Sequence, residues 1–223
     1  MSLIPDTLTL PVLDALKLDG PRKRVGVLGG SFNPIHNGHI QMGLKARAEF
    51  GLTEVLYVVA GDPPHKKQTE LAPAKERFEM TELALSEIPG LWSSDVEMCR
   101  LGHTYTVDTM RILQSRSPEA DFLFLIGEDT LFQLETWKDF GQLCRIMEFA
   151  CFLRPGAYGR KAEEQVRLLG ERYEAVIHLC AAVTEEALSA TRIRELVREG
   201  KSIRGLVPPA VEEYIHESGL YVQ

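Results

Sequence analysis

Two histidines three residues apart, His36 and His39, offer the clearest chemistry in this sequence. They follow a Gly-Gly-Ser turn and open a helical pattern that continues to about Phe50. Residues at this spacing share one face of a helix's first turn, so both imidazoles can donate hydrogen bonds to one phosphate-sized anion. The structural alternative is that one histidine caps the helix and the other packs. We favour anion binding because the pair follows the glycine turn.

The segment before the histidines suits the same purpose. Arg24–Leu28 is a short apolar run that predicts a buried strand. Gly29, Gly30 and Ser31 then form a turn where backbone can approach a ligand with no Cβ in the way. Asn37 is a candidate N-cap, and the free N–H groups of the helix start suit phosphate. Neither a Walker A loop nor a Gly-x-Gly-x-x-Gly fingerprint is present.

A second helix start lies near the other end of the sequence. Ser189 is a typical N-cap residue, and the helical pattern continues to about Glu199 and closes at Gly200. Thr191 and Arg194 lie three apart and therefore share a face. Hydroxyls and a guanidinium at a helix start make a second anion cradle, although an ordinary cap with a surface arginine is the alternative.

The composition limits the possible functions. The 223 residues are 44% hydrophobic and 26% charged, which is typical of a single α/β domain with room for a small appended part. The net charge of −7 argues against a general nucleic-acid binder but not against a small anionic ligand. No apolar stretch is long enough to span a membrane, and no signal-peptide pattern opens the chain.

The four cysteines show no metal-binding or redox spacing. They lie in apolar segments and are predicted to be buried thiols in a reducing, cytoplasmic compartment, without a zinc site. These cysteines are Cys99, Cys144, Cys151 and Cys180.

The remaining chain alternates strand and helix patterns. Residues 1–20 are weakly patterned and are interpreted as an N-terminal extension, which leaves 21–223 as a single domain. Further buried strands are predicted at Glu54–Gly61, Asp121–Ile126, Glu148–Leu153 and Ala175–Cys180.

Two polar side chains on these elements are expected to be structural. The helix predicted over Ala74–Ser86 takes Phe78, Leu83 and Leu85 as apolar positions, and we expect its Arg77 to face water. In the last predicted strand, we expect His178 to be packed in the core.

Residues 29–39, Gly-Gly-Ser-Phe-Asn-Pro-Ile-His-Asn-Gly-His, resemble the signature of the nucleotidyltransferase superfamily with the His-x-Gly-His motif. Residues 189–194 are similar to its Ser-x-Thr-x-x-Arg motif, with Ala190 where many relatives have serine. This resemblance implies transfer of a nucleoside monophosphate from a triphosphate. It also implies an α/β fold: a Rossmann-like doubly wound parallel sheet with helices on both faces and a small C-terminal helical portion.

The resemblance also implies roles for individual residues. Asp129, after a strand-ending glycine, either accepts from ribose hydroxyls or caps a helix, and the resemblance favours the nucleotide. The implied catalytic residues are His36, His39 and Arg194. The implied ATP-binding residues are Gly29, Gly30, Ser31, Phe32, Gly38, Gly127, Asp129, Ser189 and Thr191.

Shorter motifs resemble one branch, the bacterial nicotinate-nucleotide adenylyltransferases. They are Pro-Pro-His-Lys at 63–66, Tyr-Thr at 105–106, a tryptophan at 137 and Arg-Pro-Gly at 154–156. From residue types alone, Lys66 is either a ligand contact or solvated, Thr104 and Thr106 are possible caps, and Trp137 is a docked ring or a stacking platform. The resemblance assigns the mononucleotide to Lys66, Tyr105, Thr106, Trp137 and Arg154.

The implied reaction joins ATP and nicotinate mononucleotide to give nicotinate adenine dinucleotide and pyrophosphate. Mg²⁺ is expected to arrive with ATP, because no carboxylate cluster suggests a dedicated metal site. Nicotinamide mononucleotide and phosphopantetheine are the alternative acceptors. A non-catalytic nucleotide sensor is disfavoured because both phosphate motifs are intact, and oligomeric state is left open.

Overall fold

The computed structural model describes residues 23–62, 71–100, 102–154, 159–183 and 188–222. Within these ranges, parallel strands form one sheet in the order β3-β2-β1-β4-β5-β6. This order confirms the predicted doubly wound topology, whose ligand site is the crevice where strand order reverses, between β1 and β4. The strands are β1 (Arg24–Gly30), β2 (Glu54–Val59), β3 (Leu91–Ser94), β4 (Asp121–Gly127), β5 (Glu148–Phe152) and β6 (Ile177–Cys180).

Helices cover both faces of the sheet, as predicted. Alternate strand residues point to opposite faces, so Phe122 and Phe124 join one core while Leu123 and Leu125 join the other. The first core packs against α3 to α6, and the second packs against α1, α2, α7 and α8. The helices are α1 (Asn37–Phe50), α2 (Ala74–Leu85), α3 (Thr106–Arg116), α4 (Glu128–Leu131), α5 (Phe140–Ile146), α6 (Arg160–Tyr173), α7 (Ala190–Arg198) and α8 (Pro209–Ser218).

The buried face of α2 differs from the predicted one. Its buried stripe includes Arg77, Met80, Thr81 and Ala84, whereas Leu83 is 37% exposed. Arg77 is only 1% exposed, so the expectation that it faces water is wrong. The residues at 77, 80, 81 and 84 have the i, i+3, i+4, i+7 spacing of a single helical face, which carries the arginine inward.

The Arg77 guanidinium is satisfied entirely by backbone carbonyls. Its Nη1 donates to the carbonyl oxygens of Ser31 and Ala60, both at 2.8 Å. Its Nε donates to Ala72 at 3.0 Å and its Nη2 to Gly61 at 3.3 Å. One side chain therefore ties the turn after β1 to the end of β2 and to the entry of α2.

Two further expectations about burial are corrected. His178 lies on the edge strand β6, where its Nε2 is 2.9 Å from Glu148 Oε2 and its side chain is 40% exposed, so it is not packed in the core. Cys99 is exposed in the turn after β3 and Cys144 is only partly buried, whereas Cys151 and Cys180 are buried as predicted. Burial raises the pKa of each of these two buried thiols to about 12, which makes them poor nucleophiles.

Some sequence predictions concern residues outside the described ranges. These are the N-terminal extension, the Pro-Pro-His-Lys segment with Lys66, and Pro155-Gly156. Across the described part of the chain, no helix has the length and apolarity needed to cross a membrane.

Candidate active site

A cavity of about 1220 Å³ opens at the carboxyl edge of the sheet. Its wall includes the turn after β1, the start of α1, the start of α3, the end of β4 and the start of α7. Two helix starts that are far apart in sequence therefore face one space. Lys66 is the one predicted site residue outside the described ranges. All the others line this wall: Gly29, Gly30, Ser31, Phe32, His36, Gly38, His39, Tyr105, Thr106, Gly127, Asp129, Trp137, Arg154, Ser189, Thr191 and Arg194.

The start of α1 is capped by His36 rather than by the predicted Asn37. Asn37 is the first helical residue, and its Nδ2 donates to the carbonyl of Gly205 at 2.8 Å. Position 38 of the motif favours glycine for a steric reason. A Cβ at Gly38 would lie 3.1 Å from the His36 ring, so a larger residue would push that ring aside.

The tautomer of His39 follows from its hydrogen bond. Its Nδ1 accepts from the backbone N–H of His36 at 3.2 Å, so in the neutral ring the proton is on Nε2. The two imidazoles stack with centroids 3.7 Å apart and planes 21° apart. His39 is therefore arranged as a neutral hydrogen-bond donor, the form that binds a phosphate oxygen without proton transfer.

His36 is the more buried of the pair, with 6% of its surface exposed. Its Nδ1 is buried and has no hydrogen-bond partner among the described residues. Burial lowers the pKa of His36 to about 4, although a backbone hydrogen bond opposes the shift. The ring is thus neutral near pH 7, and the residue lines the cavity.

His36 should make stability depend on pH. Its pKa is about 4 in the folded state against 6.5 for a free histidine, so the unfolded chain takes up the proton first as the pH falls. We expect about 2 kcal/mol of unfolding free energy to be lost between about pH 7.5 and about pH 5. The His36→Asn variant should lack this loss in urea titrations at the two pH values.

A matched control for this experiment is His216→Asn, because His216 is exposed in the last turn of α8. The unfolding free energy of His216→Asn should fall between the two pH values by as much as that of the wild type. If the unfolding free energy of His36→Asn also falls by as much as that of the wild type, the neutral, buried state of His36 is contradicted.

Side chains that were not predicted to lie at the site, Arg77 and Tyr57, support the turn after β1 together with the predicted Phe32. Arg77 binds the Ser31 carbonyl, as described above. Phe32 adopts a positive φ of 42° and buries its ring, which meets the His39 ring edge-on at 5.1 Å. The Tyr57 hydroxyl donates to the His39 carbonyl at 3.0 Å, and Gly43 makes room for it, since a Cβ there would lie 2.1 Å from that oxygen.

The start of α7 has the predicted arrangement. The Ser189 hydroxyl accepts from the Arg192 N–H at 3.2 Å, which confirms the cap. Arg194 Nη2 lies 3.4 Å from Thr191 Oγ1, so the two share a face. Arg194 Nη1 donates to the Asn33 carbonyl at 2.8 Å, which joins α7 directly to the turn after β1.

Asn33 connects further segments to this turn. Its side-chain oxygen accepts from the Ala72 N–H at 3.0 Å and from the Tyr221 hydroxyl at 2.8 Å. Tyr221, which follows α8, adopts a positive φ of 67°. The segment after α8 is thus fastened to the same loop that Arg194 contacts.

The opposite side of the cavity is formed by α3 and the turn before α5. Tyr105 is the N-cap of α3 and gives no side-chain cap, so the predicted caps Thr104 and Thr106 are wrong. Trp137 packs its ring edge-on against Phe124, with centroids 5.6 Å apart, while it also lines the cavity. The ring is therefore docked on the core and still offers a surface to a ligand.

Asp129 and Arg154 form an ion pair at the rim of the cavity. Asp129 is the second residue of α4, whose N-cap is Gly127, so the capping alternative for Asp129 is wrong. Both side chains are more than 60% exposed, and such a surface pair is weak enough to reorganise around a ligand. Searching the described ranges finds no group of three His, Cys, Asp or Glu residues placed to hold a metal ion.

The chain is similar to proteins of a known family. Residues 27–196 match the family described as cytidylyltransferase-like. A protein named "Probable nicotinate-nucleotide adenylyltransferase" from Desulfitobacterium hafniense is 34% identical over 206 residues, covering 92% of this chain and 99% of the relative. One from Moorella thermoacetica is 41% identical over 199 residues, covering 89% and 91%.

Solved structures share the fold. The Plasmodium falciparum nicotinic acid mononucleotide adenylyltransferase complexed with NaAD superposes with a TM-score of 0.73 at 18% identity, covering 90% of this chain and 98% of that one. The same enzyme complexed with APC gives the same values.

Proposed function

The chain belongs to the nicotinate-nucleotide adenylyltransferases of the cytidylyltransferase-like family, and we infer from this membership that it transfers AMP from ATP to nicotinate mononucleotide. The products are nicotinate adenine dinucleotide and pyrophosphate, and the reaction is a step in NAD biosynthesis. The resemblance noted in the sequence is confirmed for the family and its activity.

One observation supports the proposed arrangement of the site most strongly. The His36–His39 helix start and the Thr191–Arg194 helix start line the same cavity, and Arg194 bonds to the turn that precedes the histidines. A triphosphate lying between them meets donors at both ends.

The proposed chemistry is an in-line displacement at phosphorus. A phosphate oxygen of the mononucleotide attacks the α-phosphorus of ATP, a new P–O bond forms, and the bond to the β-phosphate breaks to release pyrophosphate. Both reactants are anions, so the protein acts by aligning them and stabilising charge. His36 and His39 donate to oxygens of the transferring phosphate, and Thr191 and Arg194 hold the leaving pyrophosphate.

The acceptor is proposed to lie between α3 and Trp137. The first N–H groups of α3 have no side-chain cap and suit the nicotinate carboxylate. Lys138 adds positive charge, since its Nζ lies 4.5 Å from the centroid of the Tyr105 ring beside the cavity. Nicotinamide mononucleotide lacks the carboxylate that this environment favours.

Mg²⁺ is proposed to enter with ATP. The ion would be held by phosphate oxygens and water, with the chain supplying hydrogen-bond donors and cations around the phosphates. When bound, Mg²⁺ neutralises phosphate charge. Asp129 is proposed to accept from the ribose, and Lys66 and Arg154 to contact the mononucleotide.

The test of the function is pyrophosphate release by the purified full-length chain with ATP and one acceptor at a time. We expect release with nicotinate mononucleotide and much slower release with nicotinamide mononucleotide or phosphopantetheine. Faster release with either of the other acceptors would overturn the proposed function.

Removal of the Trp137 ring should selectively weaken the binding of the mononucleotide. We expect Trp137→Ala to raise the KM for nicotinate mononucleotide about tenfold, because a stacked aromatic contact is lost, with a smaller change in the KM for ATP. Steady-state kinetics with each substrate varied in turn measures both values. Equal increases in the two KM values would refute the stacking role, and Trp92→Ala on the edge strand β3 serves as the control.

A further inference from the structure

Glu97 is a carboxylate on the cavity wall that no step above uses. It lies in the turn after β3, and its two oxygens accept from different hydroxyls. Thr109 donates to Oε1 at 2.7 Å, and Thr104 donates to Oε2 at 2.9 Å. Burial, the largest effect, raises the pKa of this carboxylate, whereas the backbone of Gly61, just after β2, lies close enough to favour the charged form and so to lower the pKa. The carboxylate is thus satisfied by the protein rather than directed at a ligand.

These groups come from the end of β2 and the start of α3, which both approach the turn after β3 at this point. Gly61 follows β2, and Thr104 and Thr109 flank the start of α3. The backbone approach is close, because a Cβ at Gly61 would lie 2.5 Å from the Glu97 carbonyl oxygen. Two weaker links run in parallel: the Thr104 N–H donates to the Asp62 carbonyl at 3.3 Å, and His103 Nδ1 lies 3.1 Å from Asp62 Oδ2.

Hydrogen bonds and ion pairs connect Glu97 to Lys138, on the side of the cavity where the mononucleotide is proposed to bind. Arg100 donates to the Thr109 hydroxyl at 3.2 Å and lies 3.6 Å from Asp108. Asp108 lies 3.2 Å from Lys138, which sits over the Tyr105 ring. The first turn of α3 is therefore held on one side by the Glu97 carboxylate and on the other by the Asp108 ion pairs.

We propose that Glu97 is a positioning residue for the acceptor half of the site. Its carboxylate holds the first turn of α3 against the turn after β3, beside the end of β2. It thereby fixes Tyr105 and the N–H groups proposed to bind the carboxylate of the mononucleotide. The inference rests on the proposed function for the identity of that acceptor. ATP binds at the other two helix starts, so its contacts do not depend on Glu97.

The test compares Glu97→Gln and Thr109→Val with the wild-type chain in the pyrophosphate assay. Each variant replaces or removes a hydrogen bond to a charged group, and we expect the KM for nicotinate mononucleotide to rise about tenfold. The KM for ATP should stay within about twofold of wild type. Thr109→Ser restores the hydroxyl and should restore the KM, even if Glu97→Gln folds poorly. Glu82→Gln, an exposed carboxylate on α2, is the control.

A purely structural role gives a different result. Lower thermal stability with both KM values unchanged, or equal increases in both, would overturn the proposal, as would failure of Thr109→Ser to recover. The wild-type assay distinguishes failure of the Glu97 proposal from failure of the proposed function. If the wild type prefers another acceptor, the proposed function fails, and the same comparison of KM values for that acceptor still decides the role of Glu97.

Discussion

Replacing His39 with alanine should lower kcat on the order of a hundredfold or more while leaving the fold intact. The side chain offers a neutral Nε2–H donor, fixed by the bond from the His36 N–H to Nδ1. This donor is pre-oriented by Phe32, whose ring meets it edge-on, so the stabilisation of developing phosphate charge requires no reorganisation. Steady-state pyrophosphate release and thermal unfolding together measure the effect.

The control for His39 is His216→Ala, an exposed histidine on α8 far from any assigned role. It should retain wild-type kcat. Near-normal turnover of His39→Ala would remove His39 from the proposed mechanism, and a large loss of thermal stability would show that the histidine acts through folding instead.

Replacing Arg77 with methionine should cost about 3–5 kcal/mol of unfolding free energy. Methionine retains much of the apolar stem but donates no hydrogen bond, so the carbonyls of Ser31, Ala60, Gly61 and Ala72 lose their common donor. Arg77→Lys should recover only part of the loss, because an ammonium cannot match the planar set of guanidinium donors. Urea titration measures all three proteins.

Arg167→Met is the matched control for Arg77. Arg167 forms an exposed i, i+4 pair with Glu171, so its replacement should change stability by less than about 0.5 kcal/mol. Equal effects of the two methionine variants would contradict the conclusion that Arg77 joins three segments of the fold.

The two helix starts that line the cavity could be predicted from the sequence because their signals are local. The spacing of His36 and His39, and of Thr191 and Arg194, is enough to put each pair on one helical face. Parallel strands bring their carboxyl ends to one edge, so strand and helix patterns also predicted where these segments meet.

Arg77 shows a local signal that was interpreted wrongly. The buried positions of α2 are at 77, 80, 81, 84 and 85, and Met80 and Ala84 mark this face in the sequence. Of the predicted apolar positions, Leu85 is buried, whereas Leu83 is 37% exposed, and relying on Phe78 and Leu83 placed the arginine in water. A buried arginine such as Arg77 can be identified by its position on the same helical face as the apolar residues.

Glu97 and Asn33 had no local signal. The Tyr221 hydroxyl that bonds to Asn33 is 188 residues away in the chain, and the hydroxyls that donate to Glu97 come from the start of α3. Such contacts depend on tertiary packing, which neither periodicity nor motif spacing encodes. The ligand roles of Asp129 and Arg154 stay predictions, because in the structure these side chains bind each other.

The most direct test is a crystal structure of the chain with a non-hydrolysable ATP analogue. We predict one triphosphate whose α-phosphate lies within hydrogen-bonding distance of His39 Nε2 and whose β- or γ-phosphate contacts Arg194. A triphosphate that touches only one of these two helix starts would contradict the account.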